Sequence, residues 1–265
     1  MRTVREKSST GIYHVMLRGV NKQVIFEQSG DYLKFVTLLQ QSVEPKDNLG
    51  KLLPPKCRFY AYCLMPNHVH LVIQEKQESI SETIQRIATA YALYYNKKYE
   101  RCGHLFQDRF KSEPVNDEGY FLTLLRYVHQ NPVAGGLCHH AEDYEWSSWR
   151  EYIGRAQRGQ TLLRPICAIN SVLKSIPLEE LVGLVNEPLT KTAQILDFDK
   201  RRGSVTDDEV LDFLHEKYGI NNAVDLQHYS KERRNDILRD CKDFGATIRQ
   251  LSRLTDLGEK VIRNA

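Results

Sequence analysis

The sequence predicts an α+β fold: an antiparallel sheet with helices packed on one face, followed by an all-helical module. Three observations carry this reading. The first 155 residues run as strand, helix, strand, strand, helix, strand, helix. The middle two strands are joined only by Met65-Pro66-Asn67, too short for a parallel crossover, so they pair as a hairpin. After Trp149 the texture changes, and from Thr206 onward the apolar spacing is helical throughout. The expected organisation is a first domain over 1–155, a linker or helical connector over 156–205, and a helical module over 206–265.

Gly11 to Arg18 reads as a strand with Tyr13, Val15 and Leu17 on one face, and Gly19 to Lys22 as a turn. Asp31 is placed to cap a helix carrying Leu33, Phe35, Val36, Leu38, Leu39 and Val43. Residues 45–55 form a polar loop. Arg58 to Met65 and Val69 to Ile73 are the hairpin strands. Ser79 and Glu82 make a capping box for a helix reaching Lys98. His104 to Phe110 reads as a fourth strand. Asp117 to Gln130 reads as a helix stopped by Asn131-Pro132, since the residue before proline avoids the α region. Beyond the linker 155–159 and Pro165, Pro177 and Pro188, helices are expected over 207–218, 230–243, 246–254 and 258–264.

Apolar residues make up 41% and charged residues 27%, which suits a folded globular chain. No apolar run approaches the roughly 18 residues of a membrane span, and the charged start predicts no secretory leader. The six cysteines include no C-x-x-C pair, which argues against a zinc ribbon or a disulfide scaffold. A reduced, cytoplasmic protein without a membrane partner is expected. The net charge of +3 is too small to imply a polyanionic partner, so any nucleic-acid affinity must come from local patches.

His68 and His70 lie two apart on a strand, so their side chains share a face while Val69, Leu71 and Ile73 take the other. Two imidazoles about 7 Å apart along the backbone can converge on one cation. The same spacing also suits a half-exposed strand with no ligand. For a hard cation such as Mg²⁺ or Mn²⁺, oxygen ligands must complete the shell. A second pattern lies in residues 120–132, where Tyr120, Leu124, Tyr127 and Asn131 share a helical face. The Asn131 amide could supply the oxygen ligand while the Tyr127 phenol attacks a phosphate. A free phenol has a pKa near about 10 and needs such activation. The alternative is a core tyrosine. Tyr120, two turns earlier on the same face, is the substitute nucleophile, and His129 points aside as a helix-terminus or phosphate contact.

His68, His70 and Tyr127 together resemble the HUH single-tyrosine transposases. The string resembles one branch more closely, the REP-associated tyrosine transposases. It does so through Tyr13-His14-Val15-Met16-Leu17-Arg18-Gly19, Leu64-Met65-Pro66-Asn67-His68-Val69-His70, residues 103–112 (GHLFQDRFKS), Arg126-Tyr127-Val128-His129-Gln130-Asn131-Pro132-Val133 and Trp146-Ser147-Ser148. The resemblance implies a ferredoxin-like domain that cleaves and rejoins single-stranded DNA beside a hairpin. It implies Tyr127 as nucleophile and a divalent metal on His68, His70 and a third ligand that maps onto Asn131, where relatives often carry Gln. The absence of G-x-x-x-x-G-K-[ST] agrees with rejoining that needs no nucleotide. Arg18, Lys22, Arg109, Lys111 and Arg126 are candidate phosphate contacts, with Phe106 and Phe110 interleaved for base stacking. A homodimer, with the tyrosine acting in cis or in trans, is compatible with the sequence. So are a non-catalytic DNA-binding regulator and a nuclease that uses water. Residues 245–263 have a helix-turn-helix rhythm resembling the small DNA-binding domain of replication initiators, with Arg249, Arg253 and Lys260 as candidate contacts. A bundle for folding or dimerisation has the same pattern.

Overall fold

The computed structural model describes residues 5–154, 165–187, 205 and 207–265. The chain divides into two compact units, 1–196 and 197–265. In the first, β1 (Ile12–Arg18), α1 (Ser29–Val43), β2 (Cys57–Met65), β3 (His68–Glu75), α2 (Ile80–Lys98) and β4 (Lys111–Val115) follow in order. The sheet order is β2-β3-β1-β4, every neighbouring pair antiparallel. This is the ferredoxin-like arrangement.

The elements form for local reasons. Alternation makes β1 and β3 two-faced, with Val15, Leu17, Val69 and Leu71 fully or nearly fully buried. The Ser79–Glu82 capping box starts α2 as expected. For α1 the cap is Gln28, and Asp31 is instead the buried third residue of the helix. The hairpin turn is clamped, since the Ile25 and Phe26 amides donate to the Pro66 carbonyl at 2.8 and 3.2 Å and Gly19 N donates to Asn67 O at 2.9 Å. Gly19 has no substitute here, because a Cβ would lie 2.3 Å from the Gln23 carbonyl oxygen.

Three expectations change. The fourth strand is Lys111–Val115, not 104–110. Gly103 and Asp108 adopt positive φ and break the extended run, while Phe106 makes only an isolated bridge to Gly19. β4 pairs only with β1, and an edge strand tolerates Pro114. The helix α3 (Glu118–Ala134) runs through Pro132. A helix-interior proline costs about 3 kcal/mol. Pro132 is buried, and Gly135 N and Leu137 N satisfy the Asn131 and Pro132 carbonyls at 2.8 Å each. Packing and capping thus offset the break. The sheet also carries helices on both faces. α2 shares a cavity with Leu17 on one face, and α3 sets Tyr127 against His14 and His70 on the other.

The expected connector is not free-standing where it is described. α4 (Trp149–Tyr152), α5 (Ile169–Val172) and α6 (Leu178–Asn186) belong to the first unit. Ala168 N donates to Phe59 O at 2.9 Å, and Ile166, Cys167, Val172, Leu181 and Val185 join the first core. The β2 edge and the α3 flank offer apolar surface that this segment covers. The rest of the 156–205 expectation falls on 155–164 and 188–204, outside the described residues.

The second unit contains α7 (Asp207–Tyr218), α8 (Lys231–Asp243), α9 (Ile248–Thr255) and α10 (Glu259–Arg263) around Val210, Leu214, Leu226, Leu238, Leu251 and Ile262. No strand occurs among its described residues. Among the described helices of the chain, none is long and apolar enough to cross a membrane.

Candidate active site

Strand register brings together what the sequence separates. His70 lies opposite Met16, His68 opposite Arg18, His14 opposite Glu113 and Met16 opposite Lys111. Directly paired residues share a face. One face therefore carries His14, Arg18, His68, His70, Lys111 and Glu113.

On this face the His68 and His70 rings meet at 4.9 Å between centroids. His68 Nδ1 is bonded to Asn67 Oδ1 at 2.6 Å. His70 Nδ1 is bonded to His14 Nε2 at 3.0 Å. α3 places the Tyr127 ring 5.5 Å from His70 and 6.0 Å from His14, edge-on to both. His68 and Tyr127 are half-buried, whereas His70 and His14 are fully buried. The cover over His70 exceeds what a half-exposed strand predicts, because the His14, His68 and Tyr127 rings all pack against it.

Burial holds His14 neutral, with its pKa lowered to about 3. Burial, reinforced by His14 and His68, drives His70 well below the ordinary histidine value. Neutral imidazoles are the form that binds metals. The residues fit a divalent cation on one direct observation: His70 Nε2 is buried and has no hydrogen-bond partner. With Nδ1 held by Asn67, Nε2 of His68 is the nitrogen that would join it. Among the described residues no group of three His, Cys, Asp or Glu side chains could hold a metal, so the two histidines need a different third ligand. Asn131 is half-buried one turn beyond Tyr127, and its amide donates to the Tyr127 carbonyl at 3.0 Å.

The remaining predicted residues divide. Arg18 is buried on the histidine face, and Lys111 is half-buried there. Lys22 is exposed in a positive-φ turn beside Asn67, whose amide donates to its carbonyl at 3.3 Å. Arg109 is exposed. Phe110 is covered by the Arg5 guanidinium at 3.8 Å, and Phe106 packs toward Tyr91, so neither is an open stacking platform. Arg126 donates to the Glu187 carbonyl at 2.8 Å and lies 3.6 Å from its carboxylate. Tyr120 donates to Glu113 at 2.7 Å, and burial together with that carboxylate raises its pKa. His129 is a core residue, not a phosphate contact. It is fully buried, bonded to Ser148 Oγ at 2.9 Å, and lowered to a pKa of about 3 by burial. In the second unit Arg253 pairs with Asp207 at 2.5 Å, Arg249 lies 3.9 Å from Glu259, and Lys260 is exposed.

Sequence reasoning missed His14 and Glu113. Alternation already puts His14 on the Met16/Arg18 face, but only the β1–β3 pairing sets that face beside His70.

No curated protein is significantly similar in sequence to this chain. Among solved structures, a REP-associated tyrosine transposase bound to a REP hairpin aligns at 16% identity and TM-score 0.46, covering 63% of this chain and 89% of that one. A Deinococcus radiodurans R1 protein assigned as a transposase aligns at 16% identity and TM-score 0.31, covering 49% and 97%. Residues 7–131 match the family model described as IS200-like transposase. The sheet, both histidines and the Tyr127 helix as far as Asn131 fall inside that match, and over these residues the chain is similar to the IS200-like transposases.

Proposed function

We propose that the first unit cleaves and rejoins single-stranded DNA beside hairpin elements, with Tyr127 as nucleophile and His68, His70 and Asn131 as ligands of Mg²⁺ or Mn²⁺. The observation that carries this is the Tyr127 ring 5.5 Å from His70 within one chain. That placement favours a tyrosine acting in cis. When bound, the cation would polarise a phosphate oxygen and make the phosphorus a better electrophile.

Tyr127 Oη attacks the scissile phosphorus. The bond to the 3′-oxygen breaks, leaving a 5′-phosphotyrosine and a free 3′-hydroxyl. The proton lost by the phenol balances the one gained by the leaving oxygen. The covalent link keeps the phosphodiester energy, so attack by a 3′-hydroxyl restores the strand. In this reading Arg18 and Lys111 on the histidine face, Lys22 near the turn before His68 and exposed Arg109 would contact phosphates. Arg126 reaches DNA only if it leaves Glu187. Arg249, Arg253 and Lys260 would give the second unit its own DNA contact.

A denaturing gel tests the reading with an end-labelled hairpin oligonucleotide and Mg²⁺. The wild type is expected to leave a protease-sensitive, slow-migrating adduct, and Tyr127→Phe none. Free product without an adduct would instead favour a nuclease using water. Binding without product would favour a non-catalytic regulator.

A further inference from the structure

The catalytic proposal gives no role to His14, although it is fully buried and bonded to His70. A centroid separation of 5.2 Å, with planes 17° apart and a 3.0 Å nitrogen contact, sets the rings edge to edge in nearly one plane. The outer nitrogens of the pair, His14 Nδ1 and His70 Nε2, are both buried without partners.

Two neutral imidazoles share two protons among four ring nitrogens. One central hydrogen bond permits only two arrangements. In one, His14 Nε2–H donates to His70 Nδ1, and the second proton sits on His70 Nε2. In the other, His70 Nδ1–H donates to His14 Nε2, the second proton sits on His14 Nδ1, and His70 Nε2 keeps its lone pair. Only the second can bind a cation through His70 Nε2.

We infer that His14 is a positioning residue that accepts the His70 Nδ1 proton and so presents His70 Nε2 as a metal ligand. A ligating histidine commonly donates its other N–H to an acceptor, and losing that acceptor typically costs about 10–100-fold in metal affinity. Here a second histidine on the neighbouring strand β1 fills the place a carboxylate or carbonyl usually takes. A phenylalanine at 14 would keep a ring but strand the His70 Nδ1–H in the core. His70 would then gain nothing from the metal-binding tautomer. The inference rests on the metal reading above.

The test is Mn²⁺ titration of the full chain, followed by loss of the free-ion electron paramagnetic resonance signal. Wild type should bind. His14→Phe should bind about 10–100-fold more weakly. His14→Gln, whose side-chain carbonyl can accept the same proton, should recover most of the affinity. Nitrogen-15 spectra of the Mg²⁺-loaded wild type should show His70 protonated at Nδ1. If wild type fails to bind Mn²⁺, the metal reading falls and this inference with it. If wild type and His14→Phe bind equally, only this inference falls. Should His14→Phe not fold, the His70 tautomer decides, and a proton on Nε2 in the Mg²⁺-loaded protein overturns it.

Discussion

Asp31→Asn probes the buried polar cluster that joins the start of α1 to the end of α2. The Asp31 carboxylate is fully buried. Its Oδ2 accepts from Glu27 N at 2.9 Å, Gln28 N at 3.0 Å and Tyr99 Oη at 2.7 Å. Its Oδ1 accepts from Tyr94 Oη at 3.1 Å and Lys98 Nζ at 2.6 Å. Asparagine keeps one oxygen. Set at Oδ2, it retains three bonds without the charge. Its amide nitrogen then faces Tyr94, which can turn to accept, and the Lys98 ammonium, which cannot. Hydrogen bonds to charged groups contribute about 1.5–3 kcal/mol, and breaking a buried pair about 3–5 kcal/mol. Lys98 is 28% exposed and can swing into water, so we expect a loss of about 2–4 kcal/mol. At roughly 2–4 °C per kcal/mol, Tm should fall by about 5–15 °C. Burial alone would raise the Asp31 pKa, but the bonds from Lys98, Tyr99 and the two amides outweigh it and hold it low. The stabilisation is therefore full above the unfolded value of about 3.9 and is lost as pH falls through the lower folded value. Thermal melts of both proteins across the acid range check this. A gap under about 2 °C at neutral pH, or one that persists unchanged in acid, would refute the reasoning.

Tyr120→Phe removes the bond to the Glu113 carboxylate and should cost about 1.5–3 kcal/mol in urea unfolding, yet still form the DNA adduct; an adduct lost here and kept in Tyr127→Phe reverses the assignment. His129 has a folded pKa of about 3 through burial, so the unfolded chain binds its proton first, and stability should decline from about pH 6.5 down to about 3, by at most about 5 kcal/mol. Comparing wild type with His129→Asn by urea titration at pH 7 and pH 4 checks this, since the variant should lose less on acidification. Arg126→Ala should lower stability by about 1–2 kcal/mol through the lost Glu187 contacts and leave the salt dependence of DNA binding unchanged. Arg109→Ala should instead reduce that log–log slope by about 0.7, as for one single-strand phosphate contact.

Much of this protein was legible in its residues because local periodicity and capping are properties of short segments. Tyr13, Val15 and Leu17 alternate, Ser79 and Glu82 cap, and the spacing over 207–265 marks helices within two residues of their observed ends. The His68/His70 pair and the Tyr127–Asn131 face were readable for the same reason, since each lies on one element with a known period. What only the tertiary structure decided are relations between segments. Lys111–Val115 becomes a strand because β1 offers it an edge, although its own pattern of Lys, Ser, Glu, Pro and Val is poor. α3 passes through Pro132 because packing and capping outweigh a local break. Residues 165–187 join the first core because β2 and α3 leave apolar surface there. His14, fifty-six positions from His70 and outside any spacing rule, becomes its hydrogen-bond partner because antiparallel register sets β1 and β3 side by side. Periodicity specifies which way a side chain points along its own strand. Pairing between strands specifies what it meets there.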